Sequence, residues 1–167
     1  MNGQPAGVSF QDLLRDSFCF GCGADNPDGL QLKSRWEGEI AVAEWTPAPQ
    51  HAAGPRHILN GGIIATLLDC HGVCAAIASA YRKEGREIGS APELWYATAS
   101  LTVEYLRPTP LDSLIRLTAD ETEHDERTSV VECVLEAAGK PRACATVRAV
   151  RVPDSWRHGH DRPPPAR

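Results

Sequence analysis

The chain has 167 residues, 42% of them apolar and 23% charged, with a formal net charge of −5. That suits one domain with a core of its own, and the acidic balance speaks against a nucleic-acid partner, which would need a basic face. The first ten residues show neither a basic nor an apolar leader pattern, so the six cysteines are expected to be free thiols in the cytoplasm.

Residues 1–9 are polar and contain Gly and Pro, a loose start. Residues 10–18 (FQDLLRDSF) set Phe10, Leu13 and Leu14 at helical spacing and predict a short amphipathic helix. The following CFGCGADNPDGL is dense in turn-forming residues and predicts consecutive turns. Residues 30–36 and 39–45 predict a hairpin joined at Glu37-Gly38. Three prolines and a glycine make residues 46–56 a loop, and a long apolar helix follows, ending near Tyr81 before the basic run Arg82-Lys83-Glu84-Gly85-Arg86. From Trp95 the pattern turns to period two. Leu101, Val103 and Tyr105 share one face, and Thr98, Ser100, Thr102 and Glu104 share the other. Residues 107–110 (RPTP) end that strand. Residues 114–122, 128–138 and 142–152 predict three more strands, and the Pro-rich residues 153–167 a disordered tail.

This order predicts an α+β fold: one long helix on one face of a roughly six-stranded antiparallel sheet, with a second subunit covering what remains. The expected organisation is an N-terminal segment (1–18), a single domain (19–152) and the tail (153–167).

Between Ile58 and Tyr81 the only formally charged residue is Asp69. The run is long enough to span a bilayer, but Asn60, Asp69 and His71 speak against that placement. On a helical projection Ile63, Ile64, Leu67, Leu68, His71, Cys74, Ala75, Ile77 and Ala78 fall in one arc, predicted to pack on the sheet. Asp69 lies outside it, in a stripe of Gly62, Ala65, Gly72, Val73, Ala76 and Ala80, which predicts close approach of a ligand or another subunit. An isolated carboxylate among apolar neighbours costs several kcal/mol unless compensated, and such groups cluster at functional sites. The plain alternative is an ion pair with an arginine from elsewhere. Asn60-Gly61-Gly62 opens the helix as a capping side chain followed by bare N–H groups, suited to an anion or a developing oxyanion. Eight helical residues rise about 12 Å. Gly61 and Asp69 therefore serve one atom only if the first turns are distorted or a second subunit supplies one group.

This arrangement resembles the PaaI-type hotdog-fold acyl-CoA thioesterases of the 4-hydroxybenzoyl-CoA thioesterase superfamily: two glycines after Asn60, then Asp69, in a helix placed after two strands and before four. Cys19-Phe20-Gly21-Cys22-Gly23, Asn26-Pro27, Gly29-Leu30 and Tyr105-Leu106-Arg107-Pro108 extend the likeness over residues 17–152. The resemblance implies a hotdog fold, a homodimer or dimer of dimers, an acyl-CoA substrate, no cofactor, and sites at the subunit interface. It implies that the Gly61 N–H polarises the thioester carbonyl. Asp69 of the partner subunit would act as nucleophile or general base, and Thr98 would hold the water. The histidine usual before the two glycines is here Asn60, which retains a hydrogen-bond donor, with His57 three residues earlier. Gly62, His57, Arg107 and Lys83 are the expected substrate-binding residues, the two cations toward the CoA phosphates. Two rival functions stay open: an acyl-CoA-binding protein without hydrolysis, and a hydratase or dehydratase using His57 or His71.

Cys19-x-x-Cys22 is a lone pair, with Cys70 and Cys74 expected to be sequestered on a packed helix. A turn with half-buried thiols is therefore expected, and no metal. His71 is expected to be a satisfied core histidine, and His158 and His160 of the tail are not expected to bind metal.

Overall fold

The period-two stretches do form one antiparallel sheet. A computed structural model describes residues 7–157. In chain order the elements are α1 (Phe10–Leu13), β1 (Ser34–Glu37), β2 (Ile40–Trp45), α2 (Gly61–Lys83), β3 (Trp95–Tyr105), β4 (Ile115–His124), β5 (Thr128–Ala137), β6 (Lys140–Val152) and α3 (Asp154–Arg157). The sheet order is β1-β2-β4-β5-β6-β3, antiparallel at every step. Residues 1–6 of the expected loose start and 158–167 of the expected tail lie outside the described residues, and residues 154–157, expected within the disordered tail, form α3 instead.

α1 is shorter than predicted. Ser9 caps it in a reciprocal capping box with Asp12, but Asp16 takes a left-handed conformation (φ 55°), which ends helical spacing before residue 18. β1 also starts later, because Leu30 and Leu32 donate their N–H groups to Phe20 and Gly21 of the turn segment instead of to a strand.

Alternation decides the two faces of the sheet. On β5, Ser129, Val131, Cys133, Leu135 and Ala137 are buried under α2, while Glu132 points outward. The outer face carries polar pairs: Thr146 Oγ1 donates to Glu132 at 2.9 Å, and Arg116 meets Glu37 at 2.5 Å and Glu44 at 3.4 Å.

α2 passes, by length and composition, for a membrane-crossing helix, yet it lies buried against its own chain on most of its surface. Asn60 caps it: its Oδ1 accepts the N–H groups of Gly62 (2.7 Å) and Ile63 (3.3 Å). Two members of the small-residue stripe have a different role from the one expected. Gly72 and Ala76 are buried on the sheet, and a Cβ on Gly72 would meet Val147 at 2.6 Å and the Cys133 sulfur at 3.1 Å. These residues are small so that the helix can lie close to β5 and β6.

His71 is fully buried and satisfied. Its ring contacts Ser34 Oγ (2.9 Å) and the Ala41 carbonyl (3.2 Å). Gln11 completes the chain, donating to Ser34 Oγ at 3.0 Å and accepting from the Ser34 N–H at 2.8 Å. Burial drives the His71 pKa down to about 4, so the ring is neutral at pH 7. At the far end of α2, Glu121 accepts from Ser79 (2.5 Å), Ser129 (2.6 Å) and Lys83.

Ser34→Ala leaves Gln11 and His71 short of a partner in a buried site. It should cost about 1–3 kcal/mol, read as a lower midpoint in urea with an unchanged slope. Glu121 tests pH dependence. Burial alone would raise its pKa, but the bonds from Lys83, Ser129 and Ser79 prevail and hold it below the ordinary 4.5. The unfolded chain then takes up the proton first, so this contribution is complete above that value and fades as pH falls through the folded one. Thermal melts of Glu121→Gln should show a shallower loss of Tm on acidification than the parent chain; equal slopes would refute it.

Candidate active site

The site is built where β3 runs beside α2. Strict alternation would put Thr98 on the face opposite Leu101, as the sequence predicts. Instead the β3–β6 register shifts between Thr98 and Ser100, so that Thr98 faces Ala149 while Leu101 faces Val147, both buried. This bulge turns Thr98 toward the helix. Its hydroxyl donates to Asp69 Oδ1 at 2.8 Å. Asp69 is half-buried, and no ion pair to an arginine is found for it among the described residues. Burial pushes its pKa up from the ordinary value, and the Thr98 bond offsets part of that rise.

Asp69 and Thr98 open onto a cavity of about 620 Å³, walled on its apolar side by Leu14, Phe18, Val73, Ile77, Trp95 and Tyr96. That size and lining suit a small organic ligand with one polar end. Val73 belongs to the small stripe in the sequence. The sequence does not mark the other apolar wall residues as parts of one cavity, because the lining comes from four segments separated in the chain.

A second station lies at the start of α2. Gly61 is its first residue, and the Asn60 cap engages only Gly62 and Ile63, so the Gly61 N–H stays available at the positive helix end. The Asn60 Oδ1 is taken by the cap, which leaves its amide NH₂ as the donor. Tyr105, unremarked as a site residue in the sequence, donates its hydroxyl to the Gly61 carbonyl at 2.8 Å. The helix is regular from Gly61 onward. The two stations of one chain are therefore about 12 Å apart along the axis, and a distorted first turn does not bring them together.

The other expected site residues fall into two groups. Gly62 and His57 are exposed near the helix start, and Arg107 is exposed at the end of β3, donating to the Pro141 carbonyl at 3.1 Å. Lys83 lies at the opposite end of α2, paired with Glu121. Cys70 and Cys74 are not sequestered from Cys19 and Cys22. The turn segment folds over α2, bringing Cys19 Sγ to 3.6 Å from Cys70 Sγ and Cys22 Sγ to 3.8 Å from Cys74 Sγ.

Comparison with solved structures finds close likeness. A thioesterase superfamily protein from Shewanella loihica PV-4 is 36% identical, with 73% of this chain and 91% of that one covered and a TM-score of 0.61. The E. coli PaaI protein from the phenylacetic acid degradation operon is 18% identical over 74% and 81% of the two chains, with a TM-score of 0.60. A mutant thioesterase from Pseudomonas aeruginosa is 19% identical over 74% and 83%, with a TM-score of 0.60. No family model and no curated protein matches the chain.

Proposed function

The chain belongs to the thioesterase superfamily and has its hotdog fold, and from that premise we propose that it hydrolyses an acyl-CoA thioester at a site shared by two copies. The observation that supports this most is the half-buried Asp69 held by Thr98 on an apolar cavity. Thr98 engages one carboxylate oxygen and leaves the other free. Burial makes that carboxylate more basic than a solvated one. In the proposed reaction Asp69 takes a proton from water, the water oxygen adds to the acyl carbon, and the carbonyl oxygen becomes an oxyanion. The tetrahedral intermediate then breaks the C–S bond, and the CoA thiolate leaves and is protonated. In the alternative route Asp69 itself attacks, giving an anhydride that water opens.

The oxyanion donors are the Gly61 N–H and the Asn60 amide of the partner subunit, since those of the same chain are too distant. β3 supports such an assembly. It is an 11-residue edge strand paired only with β6 among the described residues, and a free edge of that length is a ready interface. Antiparallel β3–β3 pairing about a two-fold axis near Leu101 sets the Thr98 region of one copy beside the Tyr105 region of the other. Tyr105 holds Gly61, so each carboxylate would then approach the partner subunit's helix start. Gly62, His57 and Arg107 cluster at that end and are assigned to the CoA portion; Lys83 stays with Glu121 and is left out.

Asp69→Asn should lower kcat about 10²- to 10⁴-fold while acyl-CoA still binds. Binding without thiol release in the parent chain would favour the non-hydrolytic rival. Gly61→Pro is a sharper probe: proline is tolerated at the first helical position, Asn60 already has the extended conformation (φ −64°, ψ 134°) that a following proline requires, and only the N–H is lost. It should cost about 10²- to 10³-fold in kcat with Tm near that of the parent. Co-expressing Asp69→Asn with Gly61→Pro copies should restore part of the activity, because a mixed dimer holds one intact site. No recovery in isolated mixed dimers would sink the shared site.

A further inference from the structure

Three of the six cysteines form one cluster and a fourth adjoins it, in two segments about fifty residues apart in the chain. The sulfurs of Cys19, Cys22 and Cys70 lie within 4.8 Å of one another. Cys74 joins this group through Cys22, at 3.8 Å. From this cluster we propose that Cys19, Cys22, Cys70 and Cys74 form a mononuclear four-thiolate site for a zinc-type divalent cation, which clamps the turn segment onto α2. The inference does not depend on the thioesterase chemistry.

The geometry fits the ion. Zinc–thiolate bonds of about 2.3 Å at tetrahedral angles place sulfurs about 3.8 Å apart; two cross-segment distances are 3.6 Å and 3.8 Å, and Cys74, which adjoins the three-sulfur group through Cys22, would be drawn inward by the ion. A disulfide needs about 2.05 Å. The spacing fits too. Cys19-x-x-Cys22 sits in a tight turn, and Cys70 and Cys74 are one helical turn apart on the same side of α2.

The local backbone is shaped for this approach. A Cβ on Gly21, between the first two cysteines, would overlap the Cys70 sulfur and come within 2.8 Å of Thr66. A Cβ on Gly23 would run into the backbone of Cys19 and Ser17, and the turn closes with the Gly23 N–H donating to the Cys19 carbonyl at 2.9 Å. Larger residues at either position would hold the thiols apart. Cys22, Cys70 and Cys74 are buried, whereas Cys19 is exposed, which gives an ion a path in. Each thiol that becomes a ligand releases its proton to solvent, so binding is coupled to pH and to folding of this region.

The test uses the full chain without an affinity tag, purified under reducing conditions. Cobalt(II) titration should saturate at one ion per chain with a thiolate-to-cobalt charge-transfer band, which His158 and His160 cannot produce, and zinc(II) should displace it. Alkylation followed by mass spectrometry should show zinc(II) protecting Cys19, Cys22, Cys70 and Cys74 while Cys144 reacts at an unchanged rate. Cys19→Ser should weaken cobalt binding at least tenfold, and Cys144→Ser should leave it unchanged. If the serine variant does not fold, the protection pattern in the parent chain decides. No charge-transfer band at one equivalent, or alkylation rates indifferent to zinc(II), overturns the proposal, as would disulfides joining Cys19 to Cys70 and Cys22 to Cys74 that persist in reducing buffer.

Discussion

The closeness of α2 to the sheet at Gly72 is the constraint on which the rest of the structure depends. With no Cβ there, the helix backbone rests directly on Val147 and Cys133. Any side chain at that point would force the helix outward, since even one extra methyl in a close-packed interior costs about 1–3 kcal/mol. One turn earlier, the same approach brings Asp69 within 2.8 Å of Thr98 on the adjacent edge strand. The packing interface and the candidate carboxylate are thus consequences of a single stripe along α2. Gly72 and Ala76 serve the sheet, and Asp69 and Val73 face the cavity beside it.

β3 sets the second part of the arrangement. It runs beside α2 from the level of Asp69 to the level of Gly61, meeting the helix at Thr98 near one end and at Tyr105 near the other. A bulge between them shifts the register by one residue, so both reach the helix although strict alternation would point them to opposite faces. The two polar stations are kept apart by the rigidity of a regular 23-residue helix. That rigidity makes each chain incomplete for a reaction requiring both a carboxylate and an oxyanion donor.

The turn segment after α1 closes the fourth side. It lays Gly21 against Cys70, with Leu30 and Leu32 buried behind it, and so gives α2 a covering on the side away from the sheet. This covering buries Cys70 and Cys74, while Ala65, Asp69 and Val73 on α2 remain half-buried. The same segment forms part of the cavity wall opposite Thr98, so its position on the helix also sets the shape of the candidate acyl site.

Local patterns in the sequence were enough for the element order from α1 to β6, the Asn60 cap and the burial of His71. These rest on capping chemistry, period and composition, which act over a few residues. The family resemblance rested on Gly61, Gly62 and Asp69, whose spacing is preserved because they share one helix. The solitude of Asp69 in an apolar helix was legible as well. Thr98 was named as the residue that holds the water, but it was placed on the wrong face and its bond to Asp69 was not foreseen. The small stripe was assigned to a ligand or subunit, when Gly72 and Ala76 within it serve the sheet. The cysteines were separated when they meet. Each of these depends on contacts between segments distant in the chain: the β3–β6 register, the depth at which α2 beds on β5 and β6, and the fold of the turn segment over α2. Periodicity along one segment determines which faces are apolar. It is blind to a one-residue slip and to what lies across the gap, and only the tertiary structure decides those.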